Sequence, residues 1–146
     1  MDTAEPGSVD WHALLPERQP IEVDALPWEE FRDGDGNRLG VMLKWVIDPA
    51  LGKNCMLLRL PPNHRAKAHW HLSDALYVVT EGELVIEGEP PIPAGHVRWV
   101  RGGFAYGPEG AGPEGCEFLF LSLGPYGQFD PDVDPPPLGR WDDATA

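Results

Sequence analysis

The chain has 146 residues, of which 17 are glycine and 17 are proline, and its formal net charge at pH 7 is −13. That length is typical of one domain with a real hydrophobic core. The glycine and proline content favours many short strands joined by turns, so the composition predicts an all-β fold. The negative charge argues against nucleic acid and anionic membrane surfaces as partners, because like charges repel.

The polarity of the N-terminus and the surroundings of the cysteines indicate the cellular compartment of the protein. The first residues are polar and acidic, and no apolar run approaches the length of a membrane span. Cys55 and Cys116 both fall in apolar runs, which predicts two buried free thiols rather than a disulfide. We therefore expect a cytoplasmic protein.

The two ends differ in character from the middle of the chain. Residues 1–20 show little hydrophobic periodicity and are predicted to form an N-terminal arm, followed by a barrel domain over residues 21–125. From residue 126 to residue 146, prolines alternate with aspartates, which predicts an extended C-terminal tail lying across a neighbouring subunit. Apolar and proline-rich segments at both ends exceed what a small barrel covers by itself, so we expect a homodimer.

The first half of the barrel domain is predicted to contain three strands. Residues 21–26 alternate apolar with polar or small residues and predict a half-buried strand, and residues 28–31 predict one turn. The run 33–37 has the Asp and Gly pattern of an EF-hand opening, but Arg38 and Lys44 stand where that loop needs Gly and Glu, so a surface turn is predicted. Residues 39–47 and 54–60 are then two core strands.

Two histidines separated by one residue stand in the middle of the chain. In an extended strand, His69 and His71 leave the same face. Neutral imidazole is the commonest ligand for zinc, copper, iron and nickel, so the pair predicts a metal site. The spacing alone is equally compatible with one surface histidine and one core histidine.

The histidines are followed by further strand and turn signals. Residues 75–79 and 84–86 are apolar runs separated by Glu81-Gly82-Glu83, which predicts a hairpin. Pro93-Ala94-Gly95 predicts a turn before a strand at residues 97–100. A long loop is predicted at residues 107–115, and the last strand at residues 116–123.

These parts, in this order, resemble the cupin family over residues 39–124. His69 and His71 fill the HxH of the first cupin motif, Gly82 fills its closing glycine, and Pro93-Ala94-Gly95 supplies the PxG turn of the second motif. The resemblance implies a single-domain double-stranded β-helix, also called a jelly-roll barrel.

The chain departs from the cupin pattern at two ligand positions. The glutamate of the first motif falls on Ala75 and the histidine of the second falls on Arg98, and neither side chain binds a metal. A looser alignment with small cupins similar to acetylacetone dioxygenase and dihydroxyacetophenone dioxygenase places Tyr106 at the third histidine. In relatives of the latter type, an acidic residue near the position of Glu87 helps to bind the metal. The resemblance therefore implies a metal shell of His69, His71, Glu87 and Tyr106.

Other side chains are secondary candidates for the site. Asp74 and His96 are further possible ligands, although Asp74 is one residue out of register with the missing glutamate. Tyr77 is six residues after His71 and is predicted, together with Tyr106, to act on a substrate through its hydroxyl. The alternative for Tyr77 is a strand aromatic that packs across the sheet.

The resemblance implies a mononuclear-metal dioxygenase that acts on a small diketone-like or hydroxyketone-like substrate. Iron is the predicted ion, with zinc or nickel as alternatives, because few protein ligands leave positions open for oxygen and a chelating substrate. The alternative is a non-enzymatic cupin that binds or senses a metal or small molecule, which the losses at Ala75 and Arg98 favour. A third possibility is an isomerase that uses Tyr106 or a histidine in proton transfer.

Overall fold

The structure, a computed structural model, describes residues 18, 20–33, 35–47, 54–139 and 141. This part of the chain contains ten strands and one short 3-10 helix, Val23–Ala25, and it has no α-helix, which confirms the predicted all-β fold. No helix within these ranges has the length and hydropathy to cross a membrane. Most of the predicted N-terminal arm lies outside the described residues. The strands are β1 Glu29–Arg32, β2 Arg38–Ile47, β3 Asn54–Leu60, β4 Arg65–Ala66, β5 Trp70–His71, β6 Ala75–Ile86, β7 Ile92–Pro93, β8 Val97–Val100, β9 Glu109–Ser122 and β10 Gln128–Phe129.

The strands form one large antiparallel sheet and one small one. The large sheet has the order β1-β2-β3-β9-β6-β7, with β4 paired to β9 and β8 paired to β6, and the small sheet pairs β10 with β5. The longest ladder joins β6 to β9, from Ala75 opposite Ser122 to Ile86 opposite Glu109. This ladder carries the inward-facing residues of both strands into one core.

The core follows the period of the strands. On β6, Ala75, Tyr77 and Val79 are buried and the residues between them are less so, because successive side chains leave opposite faces of a strand. Buried residues of β2, β3 and β9 supply the rest of the interior. The buried apolar residues of these strands include Val41, Met56, Leu60, Leu84, Ile86, Phe118 and Phe120.

The hairpin predicted at residues 75–86 is wrong, since these residues form the single strand β6. The register with β9 shifts between Gly82 and Leu84, and Gly82 has a φ of 67°. A Cβ on Gly82 would lie 2.1 Å from the carbonyl oxygen of Gly115. Across this shift β6 advances by two residues and β9 by five, so the extra residues lie on β9. Gly82 allows the backbone of β6 to approach Gly115 closely, and it does not reverse the chain.

The loop predicted at residues 107–115 is also wrong, because β9 begins at Glu109. Gly110 lies in the ladder opposite Arg65 on one side and Val85 on the other. A Cβ on Gly110 would lie 1.7 Å from the carbonyl oxygen of His64. The glycines of this segment allow strands to come close together, which is a different use of glycine from a surface loop.

The structure differs from the prediction at residues 21–26 and 28–31. Residues 21–26 contain the 3-10 helix instead of a strand, and the ammonium of Lys44 binds the Val23 carbonyl oxygen at 2.9 Å. Residues predicted to form a turn belong to β1, which pairs with β2 through Glu29 opposite Leu43. Pro27 separates the two elements because it has no N–H to donate to a ladder.

The predicted C-terminal tail contributes to the fold. Strand β10 pairs with β5, with Gln128 opposite His71 and Phe129 opposite Trp70. The rings of Phe129 and Trp70 stack with centroids 4.3 Å apart, and the indole N–H of Trp70 donates to the carbonyl oxygen of Asp134 at 2.7 Å. The described part of the segment thus packs on its own barrel, against the strand that carries His71, instead of extending away from it.

Candidate metal centre

His69 and His71 lie side by side inside the barrel. His69 and Tyr106 form an antiparallel bridge in which each backbone N–H donates to the other residue's carbonyl oxygen at 3.0 Å. Each histidine is 5% exposed, and the two ring centroids are 4.9 Å apart. Both line the same internal cavity, as the i and i+2 spacing indicates.

The imidazole nitrogens are buried and mostly unpaired. Nδ1 of His69 lies 3.0 Å from the carbonyl oxygen of Lys67, so an N–H there donates to the backbone and leaves the lone pair on Nε2. Nε2 of His69 and both nitrogens of His71 make no hydrogen bond of ordinary geometry in the described part of the chain, although the backbone of Gly127 lies near enough to His71 to act on its pKa. Burial chiefly lowers the pKa of His71 to about 3, with repulsion from His69 and Arg98 adding to the shift. His71 is therefore neutral near pH 7 and presents a free lone pair.

Glu109 stands next to this pair, although the sequence did not single it out. It is the first residue of β9 and is 9% exposed, and its Oε1 lies 3.8 Å from Nε2 of His69. Its Oε2 accepts a hydrogen bond of 2.9 Å from the hydroxyl of Tyr77. The signal available in the sequence was an acidic residue directly after Gly107-Pro108, in a segment that was interpreted as a loop.

Two buried tyrosines continue the polar cluster. Tyr77 is 1% exposed and Tyr106 is 9% exposed, and their hydroxyls are hydrogen-bonded to each other. Burial, followed by the negative charge of Glu109, raises the pKa of both phenols well above its ordinary value, so both carry their protons near pH 7. The hydrogen bonds thus run from Tyr106 to Tyr77 and from Tyr77 to Glu109.

Arg98 packs against the ring of Tyr106. Its guanidinium lies 4.4 Å from the centre of the Tyr106 ring, and it pairs with both carboxylate oxygens of Glu89 at 2.9 and 2.6 Å. It also opposes the rise in the pKa of Tyr106. Arg98 thus stands where the second cupin motif has a histidine, and its guanidinium packs against the ring of Tyr106.

The remaining sequence candidates lie away from the histidines. Glu87 follows Ile86, whose side chain points into the core, so Glu87 points outward and is exposed. His96 is exposed as well, and the Asp74 carboxylate accepts a hydrogen bond of 2.8 Å from the backbone N–H of Gly102. The carboxylate beside the histidines is that of Glu109, and not the predicted Glu87.

The histidines open onto an internal cavity of about 150 Å³. His69, His71, Tyr77 and Glu109 line it together with His64, Tyr126 and Gln128, and no lysine or arginine lines it within the described residues. A dry cavity of about this volume accommodates a molecule the size of benzene. The apolar walls come from β2, β3 and β9 and include Val41, Leu43, Met56, Leu58, Phe118 and Phe120.

The donor set fits a metal ion in its chemistry. Within the ranges that the structure describes, no three His, Cys, Asp or Glu side chains form a ready-made metal site. Nevertheless, three imidazole nitrogens are buried without partners, which is costly unless something binds them. Two neutral imidazoles with a carboxylate beside them are the donors that proteins offer to divalent transition metals. His69 and His71 are therefore the residues that would hold an ion, and the carboxylate of Glu109 lies beside them.

The comparisons with known proteins agree with this barrel. Residues 16–126 match the family model described as ChrR Cupin-like domain. A putative acetylacetone dioxygenase from Methylibium petroleiphilum PM1 has a similar structure, with a TM-score of 0.65 and 20% identity over 90% of this chain and 94% of that one. An RmlC-like cupin from Ralstonia eutropha JMP134 has a TM-score of 0.65 and 18% identity over 78% and 73% of the two chains.

A regulatory protein is also similar in structure. The complex of Rhodobacter sphaeroides SigE with the anti-sigma ChrR gives a TM-score of 0.56 and 17% identity, over 69% of this chain and 51% of that one. No curated protein sequence matches the chain. At these identities the structural matches show the cupin fold and leave the chemistry to be argued from the site.

Proposed function

The chain belongs to the ChrR cupin-like domain family, and on that premise we propose that it is a metal-dependent dioxygenase whose ion is bound by His69 and His71 inside the barrel. The proposed substrate is a small diketone-like or hydroxyketone-like molecule. The observation that carries the proposal is the set of unpartnered imidazole nitrogens that line a mostly apolar cavity.

Iron is the proposed ion, and zinc or nickel are the alternatives. Two histidines and one carboxylate with open positions are the donor set of non-haem iron oxygenases. Bound there, iron supplies Lewis-acid activation of a substrate oxygen together with redox chemistry toward oxygen. The protein contributes the neutral imidazole of His71, since burial lowers the pKa of His71 to about 3.

The cavity supports a compact, neutral substrate. Its volume of about 150 Å³ matches a ligand of one small ring or one short diketone. No lysine or arginine belongs to its described lining, so a carboxylate substrate would meet no cationic Lys or Arg side chain there and would have only the proposed ion to pair with. The apolar walls exclude water, while the polar side chains of the lining receive the carbonyl or enol oxygens of the ligand.

A second candidate function is a binding or sensing module without catalysis. Ala75 and Arg98 stand at ligand positions of the family pattern, and a similar fold occurs in the anti-sigma ChrR bound to SigE. In that case the cavity would bind a metal or a small molecule without oxygen chemistry. Both functions use the same site, and they differ in whether the protein turns over a substrate.

Oxygen consumption by the iron-loaded protein tests the proposal. A panel of short diketones, hydroxyacetophenones and simple aromatic ketones is compared with small carboxylates, and His71→Ala serves as the control. We expect consumption with at least one compact ketone and none with the carboxylates. If no ketone gives consumption above that of the variant, the binding module becomes the better description.

Two expectations from the sequence remain predictions. A homodimer is predicted, and light scattering at high protein concentration checks it, because the mass of a single chain would contradict it. The cytoplasmic location also remains a prediction.

A further inference from the structure

The lost glutamate of the first cupin motif raises the question of which residue supplies a carboxylate to the ion. Position 75 is alanine and is fully buried at 0% exposure, so no donor arises from the strand that follows the histidines. The sequence candidate, Glu87, is exposed. Glu109 is the buried acidic side chain beside the histidines, with its Oε1 3.8 Å from Nε2 of His69.

The two carboxylate oxygens of Glu109 have different surroundings. Oε2 of Glu109 accepts the hydrogen bond from Tyr77, whereas Oε1 has only the His69 ring in front of it among the contacts described. Nε2 of His69 has no N–H to donate when Nδ1–H binds the Lys67 carbonyl, and it is unpartnered. A buried carboxylate oxygen and an unpartnered imidazole nitrogen that lie 3.8 Å apart and line the same cavity are placed to bind one cation together.

The hydroxyl of Tyr106 is hydrogen-bonded to another tyrosine and not to Glu109. It is hydrogen-bonded to the hydroxyl of Tyr77, and the Tyr106 ring is packed between the His69 ring, with centroids 4.9 Å apart, and the guanidinium of Arg98. Arg98 is itself fixed by both carboxylate oxygens of Glu89. This arrangement orients the phenols toward Glu109, so they act as outer partners of a ligand.

We propose that Glu109 is the third protein ligand of the ion, and that Tyr77 and Tyr106 are positioning residues that hold its carboxylate. This inference rests on the proposed function, because it presupposes that an ion binds at His69 and His71. It places the carboxylate of the shell on β9 instead of at position 75 of β6 or at Glu87, and it gives Tyr106 a different role from the ligand implied by the cupin resemblance.

Metal affinity, and not activity, is the measurement that tests this assignment. Apo wild-type protein, Glu109→Gln and Glu87→Gln are titrated with ferrous iron without oxygen and with zinc, and bound metal is counted by elemental analysis. The amide introduced by Glu109→Gln retains an oxygen for the Tyr77 hydroxyl, so the variant keeps the internal hydrogen bond and the fold, which its thermal unfolding confirms. Loss of an outer partner weakens metal binding by up to about 100-fold, and we expect Glu109→Gln to exceed that loss. Glu87→Gln should bind as the wild type does.

Tyr106→Phe separates a positioning role from a ligand role. If Tyr106 positions Glu109, ferric wild-type protein lacks the visible absorption of an iron-phenolate bond, and Tyr106→Phe lowers metal affinity by about 10-fold to 100-fold without losing stoichiometry. A phenolate band that disappears in Tyr106→Phe would overturn the assignment. Equal affinities of wild type and Glu109→Gln would also overturn it. A wild-type protein that binds no metal would overturn the proposed function itself, so the two failures are distinguishable.

Discussion

The hydroxyl of Tyr77 donates a hydrogen bond of 2.9 Å to the carboxylate of Glu109, with both side chains inside the barrel. The two residues come from different strands, β6 and β9, and the ladder between those strands brings them together. Because Tyr77 is protonated near pH 7, the bond stabilises a carboxylate that would otherwise be buried without a donor.

Removal of that donor should destabilise the protein. Tyr77→Phe leaves an oxygen of Glu109 and the hydroxyl of Tyr106 without their partner, so we expect the free energy of unfolding of the metal-free protein to fall by about 1–3 kcal/mol. Urea denaturation measures this change. Tyr126 is 38% exposed and its hydroxyl contacts Gln128, so Tyr126→Phe is the matched control and should change stability by less than about 0.5 kcal/mol. Equal effects of the two variants would contradict the account.

The pKa of His71 predicts how stability depends on pH. The pKa is about 3 in the folded chain against an ordinary 6.5, so between these values the unfolded chain binds a proton that folded His71 does not. Stability of the metal-free protein should therefore fall as the pH drops below 6.5, and His71 should account for about 2 kcal/mol of that fall at pH 5. The slope from His71 is half of its full value at pH 6.5 and disappears at higher pH, where the unfolded histidine is neutral as well.

A variant isolates this contribution. Unfolding free energies of wild type and His71→Gln are measured in urea at pH 7 and pH 5 without metal, and each protein is compared with its own value at pH 7. The wild type should lose about 2 kcal/mol more than the variant. The same pH dependence in both proteins would show that His71 is not held neutral by burial.

The close approach of Gly82 to Gly115 gives a prediction about the main ladder. Gly82 and Gly88 both have positive φ, 67° and 84°, but a Cβ on Gly82 would meet the Gly115 carbonyl oxygen at 2.1 Å whereas one on Gly88 would meet nothing within 4 Å. Gly88→Ala should cost the backbone strain alone, about 1–2 kcal/mol. Gly82→Ala should cost clearly more, because the β6–β9 ladder must separate, and thermal unfolding compares the two. Similar losses would show that this close approach relaxes easily.

The all-β fold and the histidine pair were predictable from local sequence. The i and i+2 spacing of His69 and His71 needs only an extended backbone to place both imidazoles together. The apolar runs at residues 54–60 and 97–100 likewise predicted strands that the structure contains. These features are set by residues that are close together in the sequence, so the sequence pattern was sufficient to predict them.

Glu109 and the long strands were not predictable in the same way. Whether Gly82 and Gly110 form turns or close contacts between strands depends on Gly115 and His64, which are their neighbours only in the folded ladder. The same misinterpretation of residues 107–115 as a loop removed Glu109 from consideration. Glu87 was favoured by its distance from the PxG turn, but the parity of β6, in which Ile86 points inward, turns it to solvent.

The most direct test is the metal content of protein purified without added metal, compared between wild type and His69→Ala. The account predicts a stoichiometric transition metal, most of it iron, in the wild type and its loss in the variant, with the variant still folded by circular dichroism, because one imidazole contributes much to chelation and little to the core. Wild-type protein without bound metal, or a His69→Ala variant with full occupancy, would contradict the claim that His69 and His71 hold the ion.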